Sequence, residues 1–216
     1  MLERLPIELG QALQGQRAGM QEIAYHRLLA ARKAPRIGVH SPAFGNMERI
    51  PALHTADGDG TSPQLEWFGV PDGTASVVIM IEDADSPTPH PLVHAIAINL
   101  DPGRRSLAEG ALMLGDDDLP NDVDLGLNSM LKRGWIPPDP PPGHGEHRYA
   151  FQFFALSHGA DLPSGAGRHD VFEAIMQRAL AAGCLIGTYE RPRRIGVNES
   201  ANDDAMSVRE LRPAIS

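Results

Sequence analysis

The chain has 216 residues, which fits one domain with appendages, and its 42% hydrophobic content is enough for a core. A formal net charge of -9 argues against a nucleic-acid or anionic-membrane surface, because both depend on basic patches for counterion release or surface attraction. The single cysteine, Cys184, excludes an internal disulfide, and its neighbours Leu185 and Ile186 make it a small buried hydrophobe rather than a reactive thiol.

The N-terminal stretch MLERLPIELGQALQG has no positive run leading into an apolar one, and no later window reaches a transmembrane length. A cytoplasmic protein without integral membrane association is expected. Residues 9–33 place Met20, Ile23, Ala24, Leu28 and Ala31 at helical spacing, and Pro35 stops the run. The predicted helix begins nearer Ala18, since Gly15 and Gly19 weaken its first half. Its apolar stripe needs a cover, either the domain itself or a second chain. Because a short amphipathic helix is marginal alone, a homodimer is expected.

From Ile37 to Leu156, short apolar runs alternate with Gly, Pro and Asp, the pattern of a β-rich structure with long loops. At period two, Val77, Ile79, Ile81 and Asp83 share a face, as do Leu92, His94, Ile96 and Ile98, and then His147, Tyr149, Phe151 and Phe153. Each row carries a polar group among apolar neighbours. An oily floor with a polar rim is the usual character of a small-molecule site. Taken singly, each residue has a plainer reading: a lone histidine on an apolar face is more often a hydrogen-bonded core group, and Asp83 could cap the Asp-Ser-Pro turn after it. Only convergence of Asp83, His94, His147 and Tyr149 on one place makes them a site. Further on, Asp170 can start a second helix with Val171, Phe172, Ile175, Met176 and Ala179 on one face, ended by Gly183. The tail from Arg193 to Ser216 is either mobile or an oligomer arm.

Other motifs carry less. His144 and His147 lie three apart, but no Cys or suitably spaced third ligand accompanies them, so no metal site is expected. The run Asp116, Asp117, Asp118 with Asp122 and Asp124 lacks the turn Gly and closing Glu of a calcium loop and reads as a solvated acidic loop. There is no Gly-x-Ser-x-Gly elbow, no phosphate-binding Gly-Lys-Ser/Thr and no Gly-x-Gly-x-x-Gly after a strand. No cofactor is expected.

Two separated segments, EDADSPTPHPLVHAIAIN and GWIPPDPPPGHGEHRYAFQFFAL, resemble the two signatures of the phosphatidylethanolamine-binding protein family, which includes Raf kinase inhibitor protein and bacterial relatives. The similarity runs from HSPAFGNMERIPALHTADGDGTSPQLEWFGVP to the helix ending in AGCLIGTYERPR, roughly residues 36–192. It implies a mainly β fold of two packed antiparallel sheets with peripheral helices. It also implies a division into a helical extension (1–35), the family domain (36–192) and a C-terminal tail (193–216). Carried over by position, Asp83 and Asp85 match the acidic residues of the first signature and His94 the histidine of the next strand. Pro140, Pro141 and Gly143 match the loop that closes the site, and His147 and Tyr149 its His-x-Tyr pair. In the family such residues line a pocket for phosphate-like or carboxylate-like anions and phospholipid head groups. The chain departs from the pattern at Ala84, Ser86, Ala95, Trp135 and Asp139. Asp139 adds a carboxylate to the pocket loop, where it would repel a phosphate.

Two function classes follow. The first is a ligand-binding or regulatory protein for an anionic or head-group-like small molecule, as the resemblance implies. The second is a cofactor-independent enzyme in which Asp83, His94 and Tyr149 perform acid/base catalysis of a cyclisation, dehydration or isomerisation.

Overall fold

A computed structural model of the chain describes residues 6–113 and 123–191. In chain order it contains α1 (Ile7–Leu13), α2 (Ala24–Ala31), β1 (Gly38–His40), β2 (Glu48–Arg49), β3 (Leu65–Phe68), β4 (Ser76–Asp83), β5 (Leu92–Leu100), β6 (Ser106–Leu107), β7 (Asp124–Leu125), β8 (His147–Leu156), α3 (Arg168–Arg178) and β9 (Ala179–Tyr189). The strands form a three-stranded sheet, β1-β3-β6, and a six-stranded sheet, β2-β9-β8-β4-β5-β7. The fold is therefore mainly β, with two sheets and few helices. Pairing is antiparallel throughout except for β2 beside β9, which is parallel.

The alternation of β4 and β8 explains the layers. Val77, Ile79 and Ile81 of β4 and Tyr149, Phe151 and Phe153 of β8 project to one face of the large sheet, where they pack with Leu65 and Trp67 of β3. The ring centroids of Trp67 and Phe153 are 5.3 Å apart. Val78, Met80, Phe154 and Leu156 project to the other face and are covered by Ala24 and Leu28 of α2 and Val171, Ala174 and Ile175 of α3. The central strands are buried on both faces, so they read as continuous apolar runs as well as alternating ones.

Two helix boundaries differ from the sequence expectation. The N-terminal helix is two short helices separated by an extended stretch and a single 3₁₀ turn, and Gly19 takes φ 100° at the break. The stripe that called for a second chain is buried within this one, with Ala24 and Leu28 fully covered. That removes the physical reason for a dimer. Gly183 does not end the second helix, because α3 stops at Arg178 and β9 begins at once. Gly183 sits mid-strand, where a Cβ would come within 2.3 Å of the Ile37 carbonyl oxygen. The glycine is there for close chain approach. The acidic run 116–118 with Asp122, and the tail 193–216, lie outside the described residues.

Phe153 touches the layer between the sheets and is fully buried. Phe153→Ala should lower the unfolding free energy by about 3–5 kcal/mol, read from the denaturant midpoint at unchanged slope.

Candidate functional site

The site is assembled at the end of β4, where three acidic residues enter the protein interior within four positions. Glu82, Asp83 and Asp85 are 0%, 5% and 0% exposed, so each must find cationic or donor partners. Glu82 accepts from the Ala24 backbone N–H at the start of α2 (2.9 Å), from Gln152 (2.8 Å) and from Arg168 of α3 (2.7 Å). It anchors both helices to the sheet. Asp85 accepts from the Arg148 backbone N–H and from two nitrogens of its guanidinium, at 2.9, 2.7 and 2.7 Å, and Arg17 lies 3.0 Å away. Burial alone would raise the Asp85 pKa, but the bonds from Arg148 and Arg17 outweigh it and hold the carboxyl below its ordinary value. Asp85 therefore braces the loop; its lone pairs are taken by arginines rather than offered to a ligand.

Asp83 lies opposite Tyr149 in the β4–β8 register. Its Oδ2 lies 2.7 Å from His147 Nδ1, His147 Nε2 lies 2.6 Å from His144 Nδ1, and His144 Nε2 lies 2.9 Å from the Leu13 carbonyl. Counting protons along this row settles its charge. A carbonyl oxygen can only accept, so His144 carries hydrogen on Nε2 and its Nδ1 is an acceptor unless the ring is charged. Three hydrogen bonds between an ionised Asp83, two imidazoles and a carbonyl need three protons, one more than two neutral rings hold. Burial, and next the charge of His147, depress the pKa of His144. With Asp83 ionised, the row as a whole therefore carries that one extra proton. The spacing of His144 and His147, which had suggested only a weak metal motif, serves this row instead. No group of three metal-ligating side chains occurs among the described residues.

His94 reaches the same place by a register irregularity. Ile81 of β4 pairs with Ala95 but the next residue, Glu82, pairs with Val93, leaving His94 as an extra residue. This bulge breaks the alternation: Ile96 and Ile98 pack under the helices, whereas His94 turns to the opposite face beside Tyr149 and Trp135, with ring centroids 5.1 and 5.9 Å away. The expected row Leu92, His94, Ile96, Ile98 is thus not a single face. His94 Nδ1 donates to the Ile136 carbonyl at 2.6 Å, so in the neutral ring Nε2 is an acceptor. Burial depresses the His94 pKa despite the opposing pull of Asp83. Tyr149 is pushed well above its ordinary pKa, by burial first and then by the charges of Asp83 and Asp139, so its phenol stays protonated. Three buried polar atoms of this cluster, His94 Nε2, Tyr149 Oη and Trp135 Nε1, have no hydrogen-bond partner among the described residues.

The loop 137–147 closes the cluster. Gly143 takes φ 81°, which an L side chain adopts only with strain, and its carbonyl accepts from Gln14 at 2.7 Å. The Pro141 carbonyl accepts from the His144 N–H (3.1 Å), and that of Pro140 from Arg191 (3.2 Å). Asp139, which the sequence reading treats as an uncompensated carboxylate, is paired with the Arg191 guanidinium. Arg191 also binds Asp57 at 3.0 Å, and Tyr189 donates to Asp57 at 2.7 Å. The repulsion expected from Asp139 is thus offset by a cation in direct contact. Arg17, Glu82, Arg148 and Arg191 were not singled out as site residues, and no local spacing signals them, since their partners lie tens of residues away in sequence; His144 was noticed only for its spacing from His147. Cys184 lies outside the cluster, and burial followed by the charge of Glu82 pushes its thiol up to about 12. A surface groove of about 470 Å³ between residues 159–162 and α3 is lined by Asp161, Asp170 and Glu173 among others and shares no residue with the cluster.

The depressed pKa of His94 has a consequence for stability. Its folded pKa lies below the ordinary value of 6.5, so between those two pKa values the unfolded chain binds the extra proton. Stability from this group is complete above pH 6.5 and is lost as pH falls towards the folded pKa. His144 acts in the same direction. Urea midpoints at a series of pH values should fall on acidification below about pH 6.5, and His94→Phe should flatten that fall.

Residues 40–190 match the family model described as phosphatidylethanolamine-binding protein. A UPF0098 protein of Aquifex aeolicus is 36% identical over 154 residues, 71% of this chain and 88% of its own. A Mycobacterium tuberculosis relative with a lipoprotein name, LppC, is 31% identical over 74% of this chain and 75% of its own. Among solved structures, Escherichia coli YbcL superposes with a TM-score of 0.67 at 26% identity, covering 73% of this chain and 99% of its own. Chlamydia trachomatis CT736, named as a homologue of the phosphatidylethanolamine-binding proteins, superposes with a TM-score of 0.64 at 31% identity, covering 74% of this chain and all of its own. The chain belongs to the phosphatidylethanolamine-binding protein family.

Proposed function

We propose that the protein is a ligand-binding or regulatory protein whose cluster of Asp83, His94, His147 and Tyr149 recognises an anionic or head-group-like small molecule. The observation that carries this reading is the set of three buried polar atoms on three elements without partners. An unmet buried donor or acceptor costs roughly 1–3 kcal/mol, and a ligand that satisfies it recovers that cost. Trp135 Nε1 and Tyr149 Oη are donors, and neutral His94 Nε2 is an acceptor. They complement a group carrying both oxygen acceptors and an O–H or N–H, such as a phosphate monoester or a carboxylic acid. The Arg191 bond to Asp139 limits repulsion of an anion. Pro140, Pro141 and Gly143 shape the wall through their backbone.

A second reading, acid/base catalysis by Asp83, His94 and Tyr149, is favoured by the hydrogen-bonded row from Asp83 through His147 to His144, which lies beside a neutral imidazole and a protonated phenol. The binding reading needs a single chain and no cofactor. A cytoplasmic location goes with this reading as an expectation; no helix among the described residues is long and apolar enough to cross a membrane. With a lipoprotein-named relative, cell fractionation is the check on compartment.

Calorimetry with inorganic phosphate and with phosphoethanolamine at low salt tests the proposal. Asp83→Asn and His94→Ala should abolish the binding heat while the native circular-dichroism spectrum is kept at a lowered melting temperature, since both side chains are buried and bonded, and Tyr149→Phe should weaken it about tenfold, the worth of one lost hydrogen bond in a dry site. Equal heats for wild type and all three variants would sink the assignment of this cluster.

A further inference from the structure

The family match begins at residue 40, yet the chain before it is laid directly on the site loop. We propose that residues 6–19 are a removable cover over the end of the site formed by Asp83, His147 and His144, and that this segment controls access of solvent and ligand. The inference rests on the proposed ligand-binding reading for its purpose, but its geometry is independent of it.

The segment touches the site from above through backbone and polar contacts. The Leu13 carbonyl accepts from His144 Nε2 at 2.9 Å, and Gln14 Nε2 donates to the Gly143 carbonyl at 2.7 Å. Arg17 donates to the carbonyls of Glu146 and His144 at 2.8 and 3.2 Å and reaches Asp85 at 3.0 Å. The Ala18 and Gly19 N–H groups donate to the Ser86 and Ala84 carbonyls at 3.0 and 2.7 Å. Beneath these contacts His144 and His147 are 0% and 1% exposed. The fit is close enough that Gly10 has no room for a side chain: a Cβ there would lie 2.0 Å from the Pro142 carbonyl oxygen. A Cβ at Gly143 would in turn lie 2.9 Å from Ile7.

What holds the segment is weak in the sense that matters for opening. α1 has seven residues, no side-chain cap at its N-terminus and Gly10 as its only buried residue, so it has neither helical stability of its own nor an apolar face in the core. Segments with few buried apolar contacts open at low free-energy cost, independently of the global fold. α2 behaves oppositely: Ile23, Ala24 and Leu28 are 0% exposed, which fixes the chain from residue 23 onward. Between the two lies Gly19 at φ 100°, a natural pivot. The cover can lift while the sandwich stays intact.

The test exploits Gly10. Alanine is the better helix former, so Gly10→Ala strengthens α1 in isolation while its methyl collides with the Pro142 carbonyl, and any loosening must come from the seat. Gly15→Ala is the control, since nothing lies within 4 Å of its Cβ. Two rates are read on the full chain: trypsin cleavage after Arg17, which reports lifting, and carbethoxylation of His144 and His147 by diethyl pyrocarbonate mapped by peptide mass, with exposed His40, His90 and His158 as internal standards. Gly10→Ala and, from the other side of the seat, Arg17→Ala should each raise His144 and His147 modification at least about tenfold, as for any locally opened segment, with Gly15→Ala at the wild-type rate. For Gly10→Ala, trypsin cleavage should rise in parallel. The proposal is overturned if cleavage after Arg17 rises in Gly10→Ala while the two histidines stay protected, or if both substitutions leave both histidines at the wild-type rate. Titration with inorganic phosphate then separates the two ideas. Tighter or faster binding in the prised variants supports both, whereas raised histidine reactivity with no phosphate binding keeps the cover and sinks the anion-binding reading.

Discussion

Three carboxylates at the end of one strand set the terms for the whole molecule. Glu82, Asp83 and Asp85 leave water within four residues, and a buried charge without partners costs several kcal/mol. Each carboxylate therefore recruits a different part of the chain. Glu82 draws in the first residue of α2, Arg168 of α3 and Gln152 of β8; Asp83 draws in His147; Asp85 draws in Arg148 and Arg17. Helices, site loop and N-terminal segment are thus positioned by one strand end. Hydrophobic burial makes the sheets pack, but it is non-directional and would accept several placements of the peripheral elements. Charge-assisted hydrogen bonds are directional and accept few.

The same burial tunes the chemistry of the cluster. His94 is kept neutral and Tyr149 protonated because the interior penalises charge, while His147 is held against Asp83 at 2.7 Å. The result is a site with one paired charge and several neutral donors and acceptors. Asp139 fits that logic, since its carboxylate is tied to Arg191, which is tied in turn to Asp57.

The bulge at His94 shows how a small backbone event decides which face a side chain joins. Without the extra residue, His94 would follow Ile96 and Ile98 beneath α2 and α3, in the apolar layer. With it, the ring turns to Tyr149 and Trp135. A register change of one residue exchanges the faces of a strand, and here it is confined to one position.

By itself the sequence determined the fold class and named four residues of the candidate cluster. The alternation in 76–83 and 147–156 marks strands with a buried aromatic face, and the two signature segments place Asp83, His94, His147 and Tyr149 at strand ends, where the structure brings them together. Those features are legible because period-two patterning and strand-end position are local properties of the chain. Tertiary structure alone decided the rest: the break of the N-terminal helix at Gly19, the burial of the α2 stripe within the chain, and Gly183 as a point of close approach rather than a helix end. It also decided the pairing of Asp139 with Arg191, the arginine clamp on Asp85, and the role of His144 between His147 and Leu13. Most of these depend on partners tens of residues apart, and a carboxylate or imidazole has no protonation state or role until its burial and its neighbours are known.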